Sequence, residues 1–289
     1  MSVMWMNGEL IDEQAASISV LDHGVLYGIG AFETIRIYEG HPFLLDDHLD
    51  RLHSGLERMC IRAPYTHEQW REQIQKLIAI TAQKEGTLRL TVTAGKEGLG
   101  LATRVYENPQ TMIFIRPLPH GHHTWFTQGK QLQVCTVPRQ AVGGAESFKT
   151  ANYMNSVLAR QEIHDFPRTE GLMLTPEGKL AEGIVSNLFF AKGNTIFTPA
   201  RSLGILDGIT RRFLIQLAKQ EELKLIEGAF TEIDLDEADE IWVTNSVQEI
   251  VPIITWRGVT KTERTVMNQL YKRYQLYTQQ QLLTMEQLS

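Results

Sequence analysis

Residues 148–160 read FKTANYMNSVLAR, and the stretch changes character midway. From Ala151 onward the spacing predicts a helix, with Met154, Val157, Leu158 and Ile163 as its apolar stripe. A single lysine, Lys149, stands just ahead of that helix, between Phe148 and Thr150. A lysine in such a place is ordinarily a solvated charge. Whether this one is placed to react depends on what the rest of the chain offers it.

The chain has 289 residues, which leads to the expectation of two domains. Apolar residues make up 43% and charged residues 21%, the balance of a globular protein. The formal charge of −6 argues against a general nucleic-acid binder and for small-molecule partners. Cys60 and Cys135 are the only cysteines and form no C-x-x-C pattern, which suits a reducing cytoplasm. MSVMWMNGELIDEQ lacks a basic n-region with an apolar h-region, and no stretch reaches the roughly 18 apolar residues of a membrane span, so neither secretion nor membrane insertion is expected.

Upstream, VMWMNGEL and AFETIRIYEG are strand-like runs of β-branched and aromatic residues bounded by Asn-Gly and Glu-Gly turn signals. Leu45, Leu49, Leu52, Leu56 and Met59 then recur at helical spacing, as do Trp70, Ile74, Leu77 and Ile78. LRLTVTAG and TMIFIRPL return to strand character. The Pro-, Gly- and His-rich LPHGHHTWFTQGK that follows reads as a linker. Downstream, QLQVCTV, GLMLT, SNLFFAKGNTIFTP and EIWVTNS read as strands, with helices at Ile209–Gln220 and from residue 263 to the C-terminus. Strands and helices mixed without a strict βαβ rhythm predict an α+β chain with an α/β domain over 1–118, a linker over 119–130 and a second α/β domain over 131–289.

Phosphate loops of the usual kinds are absent: GIGAFE lacks the third glycine of a dinucleotide loop, and no G-x-x-x-x-G-K-[ST] occurs. The HGHH run reads as a solvated loop, and no metal site is expected. A different set of residues is coherent. Glu182 lies in LAEGIVSNLFF, downstream of Lys149 by a helix, a strand and a turn. In GILDGITRRFLIQL, Asp207 and Gly208 precede a helix whose first amides, at Ile209 and Thr210, suit a phosphate. VTNSVQEI offers the hydroxyls of Thr244 and Ser246, and Arg51 in DDHLDRL offers a fixed positive charge. An amine, a carboxylate and a phosphate cradle are together what pyridoxal 5′-phosphate requires.

FKTANYMNSVLAR, EGIVSNLFF and GILDGITRR resemble, in order, three motifs of the class IV aminotransferase family, the fold type IV pyridoxal-phosphate enzymes. The likeness runs from NGEL through DHGVLYGIGAFETIRIYEGHPFLLDDHLDRL to TNSVQEIVPI. It implies the D-amino acid aminotransferase-like architecture, two α/β domains with the cofactor at their interface, and a homodimer. Carried over residue by residue, it makes Lys149 the Schiff-base and proton-transfer residue and Glu182 the partner of the pyridine nitrogen. Tyr153 would meet the ring hydroxyl, while Arg51, Ile209, Thr210, Ser246 and Thr244 would hold the phosphate.

Within the family, Ala94 stands where the D-amino acid branch has an arginine, and GIVSN replaces the C-x-G-x-N of the branched-chain enzymes. The N-terminal run and SFKTANYMNSVLARQE look most like aminodeoxychorismate lyases. That implies conversion of 4-amino-4-deoxychorismate to 4-aminobenzoate and pyruvate, a step toward folate. The alternative is an aminotransferase acting on D-amino or branched-chain amino acids. Tyr27, Arg89 and Lys96 are the candidates for contact with a dicarboxylate substrate.

Overall fold

A computed structural model describes residues 3–102, 104–140 and 148–288; Ser147, the first residue of SFKTANYMNSVLARQE, lies outside the described residues. The chain divides into two compact units. One comprises Met1–Leu118, Phe148–Asn152 and Thr278–Ser289, the other Pro119–Ser147 and Tyr153–Tyr277.

The first unit is built on a six-stranded antiparallel sheet. Its strands are β1 (Val3–Met6), β2 (Glu9–Asp12), β3 (Gly30–Tyr38), β4 (His41–Pro42), β5 (Gly86–Thr93) and β6 (Gln110–Arg116), in spatial order β2-β1-β6-β5-β3-β4. A short helix α1 (His23–Tyr27) precedes β3. Two longer helices, α2 (Leu45–Arg58) and α3 (His67–Thr81), follow β4. The leucine periodicity read from the sequence is the face that α2 buries: Leu45, Leu49, Leu52 and Leu56 are each at most 1% exposed. They join Ile35 and Ile37 of β3 and Trp70 and Ile74 of α3 in one core. Burial of these side chains, each contributing on the order of 2 kcal/mol, fixes α2 against β3.

The second unit holds, among the described residues, a nine-stranded mixed sheet. Its strands are β7 (Lys130–Val134), β8 (Thr169–Leu174), β9 (Leu180–Gly183), β10 (Asn187–Lys192), β11 (Thr195–Pro199), β12 (Lys224–Gly228), β13 (Glu240–Asn245), β14 (Glu249–Trp256) and β15 (Val259–Thr260). The order is β12-β11-β10-β13-β14-β7-β8-β9, with β15 paired to β14. Short helix α4 (Trp125–Gln128) precedes β7, α5 (Met154–Gln161) precedes β8, and α6 (Ile209–Gln220), α7 (Glu232–Asp236) and α8 (Thr265–Thr278) follow β11, β12 and β15. No helix among the described residues is long and apolar enough to cross a membrane.

Several expectations shift. Residues 119–130, read as a linker, carry a 3-10 turn at His122–Thr124 and helix α4, and they cluster with the second unit. The segment 148–152, Lys149 included, clusters with the first unit, whereas the sequence places it in the 131–289 domain. The helix expected from Ala151 begins at Met154, because Thr150 and Ala151 pair like a strand with the start of β3, Thr150 bridging to Ala31 and Ala151 N donating to Gly30 O at 2.8 Å. Three members of its expected apolar stripe face outward, Met154, Val157 and Leu158 being 63%, 47% and 44% exposed, whereas the fourth, Ile163, and Ala159 are buried. The C-terminal helix stops at Thr278 rather than running to the end.

Candidate active site

In the first unit, the lysine segment is stitched onto the start of β3. Phe32 N donates to Lys149 O at 2.8 Å, Ala31 and Thr150 form an antiparallel bridge, and Ala151 N closes the ladder on Gly30 O. Phe148 lies against Gly55 of α2, where a Cβ would come 3.1 Å from the Phe148 side chain. These contacts fix the backbone of Lys149, and its side chain then reaches the Phe32 ring, with Nζ 4.8 Å from the centroid. Arg89 of β5 shares that ring, its guanidinium carbon 3.6 Å from the centroid. Lys149 and Arg89 are thus brought together on one aromatic platform, a cation–π arrangement that draws both charges to the ring.

Arg51 projects from α2 and is 7% exposed. Its Nε and Nη2 donate to Glu33 Oε1 and Oε2 at 2.8 and 2.6 Å, and His48 Nδ1 contacts Glu33 Oε2 at 2.6 Å. Burial by itself pushes the Glu33 carboxyl up, but the Arg51 guanidinium and the His48 ring outweigh it and hold it down at about 2. The sequence reading missed Glu33 and His48. A glutamate inside a strand, where acidic side chains are disfavoured, was the available signal.

Tyr27, at the end of α1, accepts from Gly100 N at 2.9 Å, and His23 Nε2 bonds Gly98 O at 2.8 Å. The loop following β5 is therefore anchored to α1 at two points. Lys96 in that loop has an exposed side chain, while its backbone bridges to Asp22. Tyr27 borders this loop, and of the two cations named from sequence it is Arg89, and not Lys96, that shares the Phe32 platform with Lys149.

In the second unit, Glu182 lies near the end of β9, is 5% exposed, and is held from three directions. Asn187 Nδ2 and Leu206 N each donate to Oε2 at 3.0 Å, and Arg139 Nε lies 2.6 Å from Oε1. The EGIVSN motif supplies this geometry. Gly183 N donates to Ser186 O at 2.7 Å, closing the turn that brings Asn187 back over Glu182. A Cβ at Gly183 would collide with Ser186 Oγ. Arg139 was not anticipated; a lone arginine between a strand and a glycine-containing run carries no pattern of its own.

Asn187 also donates to Leu206 O at 2.9 Å, so the same side chain ties the carboxylate to the approach of α6. That helix opens at Gly208 without any side-chain cap. The first amides, at Ile209 and Thr210, have no partner within the helix and carry the positive end of its dipole. Gly208 is required there, since a Cβ would collide with Asn187 Oδ1. Asp207 does not cap the helix; its Oδ2 faces Arg201 Nη1 at 3.3 Å. Thr210 Oγ1 donates to Ser246 Oγ at 3.4 Å, which sets two hydroxyls beside the helix start. Ser246 sits in a turn shaped by Asn245 Oδ1, which accepts from Val247 N and Gln248 N at 3.0 and 2.8 Å. Thr244 stands apart. It is 1% exposed and donates its hydroxyl proton to Glu249 O at 2.5 Å, so it has no proton for a phosphate. Tyr153 is half-buried at the head of α5.

Amides, small hydroxyls and an arginine are donors that suit a phosphate ester. The Glu182 carboxylate suits a protonated ring nitrogen, and the Lys149 amine suits an aldehyde.

A two-unit α+β chain with these motifs defines the fold type IV enzyme class. The amino-transferase class IV family model matches residues 30–256, and the chain belongs to that family, whose members are pyridoxal-phosphate dependent. It is 40% identical over 278 residues to the aminodeoxychorismate lyase of Bacillus subtilis (strain 168), covering 94% of each chain. It is 28% identical to the D-alanine aminotransferase of Bacillus licheniformis, over 88% of both. The solved branched-chain aminotransferase of the thermophilic archaeon Thermoproteus uzoniensis, with norvaline, superposes with a TM-score of 0.88 at 26% identity, over 97% of this chain and 95% of that one.

Proposed function

We propose that this protein is a pyridoxal-phosphate-dependent lyase that converts 4-amino-4-deoxychorismate to 4-aminobenzoate and pyruvate. The observation that carries the choice is the 40% identity to the Bacillus subtilis lyase over 94% of the chain. Lys149, Glu182 and the uncapped start of α6 are consistent with it. The phosphate is assigned to the amides of Ile209 and Thr210 and the Ser246 hydroxyl, with Arg51 oriented by Glu33. Tyr153 is assigned to the ring hydroxyl and Glu182 to the ring nitrogen. Arg89, placed on the Phe32 ring beside Lys149, is assigned to a substrate carboxylate in preference to Lys96.

Pyridoxal phosphate, when bound, supplies an aldehyde carbon for the substrate amine and a ring that takes up electrons. Lys149 Nζ is the base that removes the proton from the amine-bearing ring carbon. Glu182 holds a proton on the ring nitrogen, and Asn187 and Leu206 N keep that carboxylate in place. The enolpyruvyl C–O bond then breaks with its electron pair going to oxygen, the six-membered ring becomes aromatic, and the departing enolate takes up at carbon a proton, matching the one Lys149 removed, to become pyruvate. Aromatisation makes this outcome strongly downhill.

The assembly is assigned as a homodimer. That assignment follows the family resemblance. The deciding experiment supplies 4-amino-4-deoxychorismate and follows 4-aminobenzoate fluorescence, with 2-oxoglutarate-dependent amine transfer measured in parallel. Formation of 4-aminobenzoate is expected; amine transfer without it would replace this reading by that of an aminotransferase on D-amino or branched-chain amino acids.

A further inference from the structure

Helix α5 begins immediately after Tyr153, and two polar side chains, Asn155 in its first turn and Glu162 at its end, are seven residues apart, two helical turns along one face. Both reach the same short segment after β7. Glu162 Oε2 accepts from Thr136 N at 2.7 Å, and Glu162 Oε1 accepts from Thr136 Oγ1 at 2.9 Å and Val137 N at 3.1 Å. Asn155 Nδ2 donates to Pro138 O at 2.9 Å. The next residue is Arg139, whose amide is tied to Leu174 O at 2.7 Å and whose Nε meets Glu182. Three consecutive residues of an irregular segment are therefore bonded to one helix face, and the fourth carries the guanidinium that meets the buried carboxylate.

We propose that Asn155 and Glu162 are positioning residues that lock α5, and with it Tyr153, to the Arg139–Glu182 pair, so that the groups assigned to the hydroxyl and to the nitrogen of the pyridine ring move as one body. The inference rests on the reading of Glu182 and Tyr153 as cofactor partners. A carboxylate accepting three bonds is a stronger anchor than a surface ion pair, because the acceptor is charged and two of its donors are fixed in backbone. The lowered Glu162 carboxyl, caused first by the Thr136 amide, accords with that anchoring.

The test is a double-mutant cycle on the holoenzyme, with Glu162→Gln, Arg139→Met and the double variant. The readouts are the dissociation constant for pyridoxal 5′-phosphate and the visible absorption spectrum of the bound cofactor, which a merely structural loss leaves unaltered. Each single variant is expected to weaken cofactor binding about five-fold and to change the spectrum in the same sense, with the double variant no worse than Arg139→Met alone. Multiplying effects in the double variant, or a wild-type constant and spectrum for Glu162→Gln, would overturn the proposal while leaving the assigned function standing. A wild-type protein that takes up no cofactor would overturn both. Should Glu162→Gln fail to fold, Asn155→Ala replaces it in the same cycle with the same deciding outcomes.

Discussion

Asn187 spans Glu182 Oε2 and Leu206 O with one amide group, at 3.0 and 2.9 Å, and so couples the buried carboxylate to the approach of helix α6. Replacing Glu182 by Gln keeps the shape and removes the charge. The turnover of the holoenzyme should fall by roughly two orders of magnitude, the scale seen when one oriented electrostatic partner is lost, and the thermal unfolding midpoint should fall as well, because the Arg139 guanidinium is left without its buried counter-charge. Steady-state kinetics beside a melting curve checks both halves.

Gly208→Ala attacks the same coupling from the other side. Its methyl would press on Asn187 Oδ1 at the uncapped helix start. A loss of about 1–3 kcal/mol in stability is expected from overpacking, together with weaker cofactor retention on dialysis. Denaturant titration and residual visible absorbance report the two effects separately.

The two hydroxyls assigned to the phosphate from sequence should behave differently. Ser246→Ala should weaken cofactor binding without unfolding the protein. Thr244→Val should leave cofactor binding intact and cost about 1–2 kcal/mol in stability, since it removes the buried donor to the Glu249 carbonyl. Cofactor titrations of both variants distinguish them.

Acid should act on the first unit through Glu33. Its carboxyl is held at about 2 in the fold against an ordinary value of 4.5, so the ionised form is the one the fold prefers. The stabilisation is fully present above about pH 4.5 and is lost as pH falls toward 2, amounting to about 3 kcal/mol at neutral pH. Denaturation series between pH 7 and 3 should show Glu33→Gln weaker at neutral pH and flatter toward acid than the wild type.

The leucine face of α2 and the hairpin of β10 and β11 were legible in the sequence because local periodicity and turn residues specify them. Lys149, Glu182 and the start of α6 stood out as candidates for another reason: each sits in a motif that resembles one of the family's. What stayed hidden was pairing over long sequence distances. The union of residues 148–152 with β3, the Glu33 clasp on Arg51 and the Arg139 contact with Glu182 all depend on tertiary neighbours that no local pattern encodes. The outward face of α5 shows the limit in the other direction, since a helical apolar stripe identifies a surface that prefers burial without saying what covers it.

Borohydride reduction of the cofactor-loaded protein, followed by peptide mapping, addresses the central assignment most directly. A single pyridoxyl label on Lys149 is the predicted result. A label on another lysine, or no label in a protein saturated with pyridoxal 5′-phosphate, would contradict it.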